Sequence, residues 1–531
     1  MTQRFSSISL PSPAMLALLA IAGCSGINMP LTDKPNYGRD EHMFAAGYED
    51  IDRVYIQKPD IGYLTMGGLS ALAAMDQQLS VARDPDKIDL VYAGKIQASF
   101  VVTNGFEVDD WAALTAKAVE NARKLSPAIG KADSEAIYKA VFDGVTGRLD
   151  SFSHYVGRQQ AKEDRAWLEG FGGIGVAISV ESGVVRVVSV MHDTPAERAT
   201  MRAGDLITAI DGTPTKTMDE RTVVEKLRGP VGSHVALTVA RVGTPAALGM
   251  IITRIQVIPD MVSYRREGDI AYFRIYGFNQ DTADSLRRAF RGARNEIGAH
   301  MRGVVLDLRG NPGGLLDQAI TISGLFLDHG RIVSTNGREP GTQQHFDATP
   351  GDISKGLPIA VLVNGGSASA SEIVAAALQD NGRAVVIGSN SYGKGTVQTV
   401  LPMPNDGELR LTIARFYPPS GYTLNHLGVL PTICTDNEGE DANKLLDDLS
   451  EGRIAAVPVI QRDTVSPDNT PARDKLRARC PVYKGERAID LKIALGLVAQ
   501  PLLYSRAVAL AEPAAGLPAA QAALNQSSSR P

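Results

Sequence analysis

The sequence predicts a multidomain α/β protein: a helical N-terminal region, a small β-rich module, and an α/β core of sheet and helix. Three observations carry this. At 531 residues the chain is too long for one ordinary hydrophobic core. At about Gly170 its texture changes from Ala-rich amphipathic stretches to Val/Ile runs with alternation, such as Val184-Val-Arg-Val-Val-Ser-Val190. From about residue 260 it changes again, to short apolar strands separated by glycine loops and a helical pattern.

The elements follow in order. Residues 1–23 read as a lipoprotein signal peptide: Arg4, an apolar run from Pro13 to Ala22, then Ile21-Ala-Gly-Cys24. The run is too short to span a bilayer as a mature helix, and small residues before a cysteine are what a lipoprotein signal peptidase cuts. An ordinary secretory signal with a chance cysteine is the plainer alternative, and Ile21 and the single n-region charge speak for it. Export is expected either way. Lipid on Cys24 would tether the protein to a bacterial membrane from the periplasmic side, and Ser25 favours sorting to an outer membrane over an inner one. Residues 24–160 read as helical, through Trp111–Val119 and Ile137–Phe142, without strand alternation. The β-rich module spans 161–259 and the α/β core 260–434, with strands at 304–308, 359–363, 384–387 and 409–416. Ile373, Val374, Ala377 and Leu378 share one face of a helix between the second and third. The region 435–510 is acidic and less regular, and the Ala/Pro/Ser-rich segment 511–531 reads as disordered. Cys434 and Cys480 suit a disulfide in an oxidising compartment, with two buried thiols as the alternative. A 44% hydrophobic, 21% charged chain of net charge −5 has no basic excess for nucleic acid.

Three loops hold the candidate chemistry, each at the carboxyl end of an apolar strand: Arg309-Gly-Asn-Pro-Gly-Gly314, Asn364-Gly-Gly-Ser-Ala-Ser-Ala-Ser371 and Gly388-Ser-Asn-Ser-Tyr-Gly-Lys394. Parallel neighbours lie about 4.8 Å apart, so their loops converge on one rim of the sheet. A serine hydroxyl needs a base beside it to attack an amide at neutral pH. Lys394, between two glycines and ahead of the apolar strand Val397–Leu401, can serve if burial strips its proton. Gln398, four residues on, lies on the same face of an extended segment and can orient the amine. Ala370, after Ser369 at a helix N-terminus, offers one N–H for an oxyanion, and Gly313 or Gly314 a second.

Each element has a plainer reading. Ser369-Ala-Ser-Glu372 is also a capping box, far more often structural than catalytic. Gly388-x4-Gly393-Lys394 imitates a phosphate-binding loop, but Gly395 follows where Ser or Thr is needed, and a strand where a helix is needed. His329, His345 and His426 leave a Ser-His pairing open, without a motif to support it.

These residues resemble the C-terminal processing peptidases, or tail-specific proteases. The likeness runs through Leu308–Gly314, Val361–Ile373, Ala377–Gly388, Tyr392–Gln398 and Ala414–Gly421 in order, with Tyr392 where Phe is usual and Leu430-Pro-Thr432 where Pro-Asp is commoner. The resemblance implies a Ser-Lys peptidase with the middle serine of Ser367-Ala-Ser369-Ala-Ser371 as nucleophile, Lys394 as base, Gln398 as orienting amide and Asp380 as a structural acid near the site. It implies neither metal nor cofactor. The module 161–259 is similar to a PDZ domain, with Gly173-Ile174-Gly175-Val176 as carboxylate-binding loop and Thr200 in place of a usual glycine. Such modules take a peptide tail as an added strand. Expected partners are therefore proteins or peptides with free C-termini and, through Cys24, a membrane; an adaptor protein or a second copy of the chain stays open. The rival reading is an inactive, membrane-tethered PDZ adaptor.

Overall fold

Two five-residue strands, Gly303–Asp307 and Ile359–Val363, are buried along their whole length, the pattern of strands covered on both faces. They lie at the centre of a six-stranded sheet ordered Val262–Glu267, Ile270–Ile275, Gly303–Asp307, Ile359–Val363, Val385–Gly388, Ile433–Cys434. All neighbours are parallel except the first pair. The computed structural model describes residues 38–435, 441–454 and 469–511. The signal segment with Cys24 lies outside the described residues, as does the expected disordered tail apart from Ala511, which closes the last helix.

Alternation along the strands divides the side chains between two layers. Phe273, Leu306, Val361 and Val386 pack under the helices Thr282–Ile297, Leu316–Gly324 and Ala370–Asp380. Tyr272, Val305, Ala360 and Leu362 meet Ile493, Ala494, Leu497 and Val498 of the helix Ala488–Val498. The core therefore continues past residue 434, where the sequence reading ended it. The helix Ala488–Val498 is apolar around most of its circumference and covers the second sheet face, and the Cys434–Cys480 disulfide ties the region to the edge strand, with Cα atoms 5.9 Å apart. No single helix among the described residues is long and apolar enough to cross a membrane.

The strand expected at 409–416 does not join this sheet. It runs Glu408–Tyr417 in a second, antiparallel sheet between Arg331–Gly337 and Thr396–Pro402, with His154–Val156 added on its end. Its alternating burial, unlike the unbroken burial of the parallel strands, is the physical sign of that difference.

The N-terminal region is helical as expected, through Arg39–Val54, Ile61–Ala71, Val108–Leu125 and Ser134–Thr146. Its core, with Phe44, Tyr48, Leu69 and Phe142, is continuous with Leu409 and Leu411 of the antiparallel sheet and with Met403 just past its strand Thr396–Pro402. The expectation of no strands needs correction. Leu79–Asp84, Lys87–Tyr92 and Lys95–Val101 form a three-stranded antiparallel sheet. A buried aspartate hid the alternation: Asp89, 5% exposed between Ile88 and Leu90, is held by Lys87 and Ser99. The turn Ala93-Gly94, with φ of 50° and 75°, is the left-handed pair that a two-residue hairpin requires.

The β-rich module is an antiparallel sheet ordered Leu248–Thr253, His234–Ala240, Leu206–Ile210, Val184–Val190, Val176–Glu181, packed on the short helices Pro195–Arg198 and Glu220–Leu227. Thr200, at φ 60°, occupies a left-handed position, which explains why a glycine is usual there.

Candidate active site

The three glycine loops leave neighbouring parallel strands, with Val304 opposite Ile359 and Val363 opposite Gly388. Backbone and side chains then knit them together. Gly310 N donates to Asn364 Oδ1 at 2.8 Å, Ala368 N to Asn311 O at 3.0 Å, and Tyr392 N to Ser367 O at 3.0 Å. Beneath the rim, buried Arg309 bonds Asp307 and reaches Asp490 Oδ2 at 3.0 Å, fastening the sheet-covering helix Ala488–Val498 to the first loop.

The three clustered serines separate by their surroundings. Ser367 Oγ donates to Leu308 O at 2.8 Å and Ser371 Oγ to Asn311 O at 2.9 Å, and both residues are fully buried. Ser369 is part-exposed and stands immediately before the helix Ala370–Asp380 at φ 56°, ψ −115°. A non-glycine residue there costs on the order of 1–3 kcal/mol and persists only where its surroundings enforce it.

Glu372 supplies that enforcement, a role its capping-box reading understated. Its carboxylate has no exposed surface. One oxygen accepts from Ser369 N at 2.7 Å and Lys394 N at 2.9 Å; the other accepts from Gly393 N at 2.6 Å and Ser391 Oγ at 2.5 Å. Burial pushes its pKa up while the four donors pull it down part of the way. Ser369 and Lys394, 25 positions apart in sequence, thus converge on a single carboxylate oxygen.

Lys394 is half-buried and its Nζ donates to Gln398 Oε1 at 2.6 Å. Gln398 sits at a register irregularity in its strand, opposite Thr412, the kind of break that re-aims a side chain. Its Nε2 donates to Phe152 O at 2.7 Å. Burial and then the positive charge of Arg410 hold the Lys394 amine below the ordinary lysine range, against weaker opposition from Glu372 and Asp150. Among the described residues Lys394 makes no ion pair.

Ala370 opens the helix, so its N–H has no acceptor within that helix. Gly313 lies against it: a Cβ at 313 would come within 2.7 Å of Ala368 O, 2.9 Å of Ser369 Cβ and 3.1 Å of Ala370 N. The Gly313 N–H donates to Asn311 Oδ1 at 2.9 Å. Gly314 packs on the Phe278 backbone, where a Cβ would lie 2.2 Å from its carbonyl oxygen. Asp380 is not beside these groups. It closes the other end of the same helix, about 16 Å along at 1.5 Å per residue, and accepts from Ser420.

None of the three candidate histidines bonds Ser369. His329 is exposed, His345 bonds Arg331 and Ser334, and His426 stacks on Phe152 with ring centres 5.7 Å apart. His426 and Phe152 line a cavity of about 450 Å³ beside Gly393, with Arg473 and Arg477.

In the β-rich module, Gly175 takes φ 84°, and a Cβ there would lie 2.3 Å from Thr194 Cβ. Ile174 is buried, and the carbonyls of Ile174 and Gly175 accept from Ala196 N and Met191 N. Gly173 pairs with Ile255, whereas Val176 opens the strand Val176–Glu181, the last in its sheet.

The chain matches the model of peptidase family S41 over residues 269–435 and that of the PDZ domain over 186–241. It is 43% identical to the carboxy-terminal-processing protease of Bartonella bacilliformis over 306 residues, 57% of this chain and 70% of that protein. It is 34% identical to a probable CtpA-like serine protease of Staphylococcus aureus over 325 residues, 60% of this chain and 64% of that one. Among solved structures, the photosystem II D1 C-terminal processing protease aligns at 25% identity over 76% of this chain and 94% of that one, with a TM-score of 0.39. On the length and identity of the Bartonella match, with the two family models falling on the core and the β-rich module, the chain belongs to the carboxy-terminal-processing proteases of peptidase family S41 and carries their PDZ domain.

Proposed function

We propose that the chain is a serine endopeptidase that cleaves exported proteins near their C-termini with a Ser369–Lys394 dyad. The surroundings of Lys394 carry the reading: a half-buried amine, bonded to a neutral amide and not to a carboxylate, on a loop braced to Ser369 through Glu372. The neutral amine takes the Ser369 proton as Oγ attacks the scissile carbonyl. The oxyanion falls to the N–H of Ala370 and to the glycine loop, where Gly314 is the better donor because the Gly313 N–H is already spent on Asn311. The ammonium then protonates the leaving amine, and water, deprotonated by the same lysine, releases the acyl group. Replacing Ser369 by Ala should leave cellular substrates with longer C-termini; tails unchanged from the parent strain would refute the assignment.

The sign of the pH dependence follows. Only neutral Lys394 can act, so kcat/KM should rise with pH along a limb below the ordinary lysine value of 10.5. Removing the Arg410 charge, as in Arg410→Gln, raises the amine's pKa and should carry that limb to higher pH. A limb that stays in place would separate it from Lys394.

The PDZ domain takes the substrate tail along Val176–Glu181, with Gly173 to Val176 receiving the terminal carboxylate. A peptide amidated at its C-terminus should be cut several-fold more slowly than the free acid; equal rates would make this loop irrelevant to selection. Export and a lipid anchor on Cys24, holding the enzyme on the periplasmic side of an outer membrane, complete the reading. Cys24→Ala should shift the protein from the membrane to the soluble fraction of a cell lysate.

A further inference from the structure

We propose that the turn Asp150–Ser153, contributed by the N-terminal region, is a positioning element of the active site. The Phe152 carbonyl fixes which way round the Gln398 amide lies, and so which way the Lys394 amine faces. This rests on the Ser369–Lys394 reading above. The two ends of a glutamine amide are alike in shape and opposite in polarity. A carbonyl can only accept, so Phe152 O, 2.7 Å from Nε2, takes the NH2 end and leaves Oε1 at 2.6 Å from Lys394 Nζ. A neutral amine has two N–H donors and one lone pair. Donating one N–H to Oε1 turns the lone pair away from Gln398 and frees it for the serine proton. With the amide reversed, Oε1 would face the Phe152 carbonyl, acceptor against acceptor, and the NH2 end would donate to the amine and occupy the lone pair that must take the serine proton.

The Phe152 carbonyl is itself held. Asp150 Oδ1 accepts from Phe152 N at 2.7 Å and Ser153 N at 2.8 Å, an Asx turn, and Oδ2 accepts from Ser153 Oγ at 2.8 Å. Ser153 Oγ in turn accepts from Thr412 N at 3.1 Å, and Thr412 is the residue opposite Gln398 in the antiparallel ladder. The turn is therefore bolted to the neighbouring strand at the register of the residue it orients. His154 Nδ1 lies 2.6 Å from the same carbonyl, and the Phe152 ring, stacked on His426, lies 6.0 Å from Lys394 Nζ. Because the N-terminal helices share a core with this sheet, their packing is coupled to the base.

The test compares Asp150→Ala with Asp150→Asn, whose remaining oxygen can still accept both N–H groups of the turn. Peptide kcat and KM are measured with the rate of inactivation by a fluorophosphonate, a small probe of serine nucleophilicity that needs no tail recognition, each per mole of folded protein. Asp150→Ala should lose about ten- to a hundredfold in kcat, as for a catalytic group displaced by about 1 Å, with an equal loss in fluorophosphonate rate and KM within about twofold. Asp150→Asn should recover most of both. An Asp150→Ala protein with unchanged kcat, or changed only in KM, would overturn the proposal. So would an Asn variant as impaired as the Ala variant, since the two N–H bonds of the turn, which Asn keeps, would then not be what sets the amine. A Ser369→Ala protein that cleaves the peptide as fast as the parent would overturn the Ser369 assignment, and this inference with it, before any Asp150 variant is compared.

Discussion

Lys394→Arg is expected to lose at least about a thousandfold in kcat/KM while melting within a few degrees of the parent protein, the scale of loss when a general base is removed from a nucleophile. Arginine keeps the positive charge and several N–H donors, so the bond to Gln398 Oε1 at 2.6 Å can be replaced. It cannot be deprotonated at any working pH. The two roles a lysine could play here therefore diverge. A fixed cation that held a substrate carboxylate would be partly replaced by arginine; a proton acceptor would not. Peptide cleavage measured beside thermal unfolding distinguishes chemistry from misfolding. Substantial activity in the folded variant would refute the dyad and return attention to His426, the candidate histidine nearest the lysine loop, whose backbone N donates to Gly393 O at 2.8 Å.

The parts of the site legible in sequence were those fixed by topology. Two apolar strands with a helix between them place their carboxyl-end loops side by side, so the meeting of the Ser369 and Lys394 loops followed from the spacing of Ile359–Val363 and Val385–Gly388. The i to i+4 relation of Lys394 and Gln398 on an extended segment likewise foretold their bond. The Phe152 carbonyl was not legible, because a backbone acceptor more than two hundred positions away carries no side-chain signature. Glu372 was visible but read too modestly: the S-x-x-E pattern accounts for one of its four bonds, and the other three come from a loop whose course only the folded sheet fixes.

The fold shows the same division. Long apolar runs announced the parallel strands, while short, half-polar strands hid. Lys95–Val101 leaves every one of its residues exposed or half-exposed, so hydrophobic periodicity had nothing to report. Cys434 and Cys480 could be paired only as a suggestion, since the intervening residues say nothing of the distance that the edge strand and the helix Thr470–Arg477 set between them.

Glu372→Gln should both destabilise the protein by about 2 kcal/mol and lower kcat/KM by about a hundredfold. The carboxylate accepts from four donors, two on each oxygen, and an amide offers one oxygen and one NH2. On the Ser369 and Lys394 side both donors are backbone N–H groups that cannot reverse. On the other side Ser391 Oγ can rotate to accept, and only the Gly393 N–H cannot. The amide nitrogen therefore turns toward Gly393, leaving that buried donor unpaired at a cost of about 1–3 kcal/mol. The neutral amide is easier to bury than a carboxylate whose pKa burial already raises, and this offsets part of the loss. It does not restore the brace: Gly393 precedes Lys394, so a shift there moves the base, and a displacement of about 1 Å is enough for a hundredfold loss in rate. A simple capping box predicts the opposite result, because Gln serves in that motif as well as Glu. Denaturant unfolding and peptide cleavage on one preparation decide between the two, and a Glu372→Gln protein as stable and active as its parent would reduce Glu372 to a helix cap.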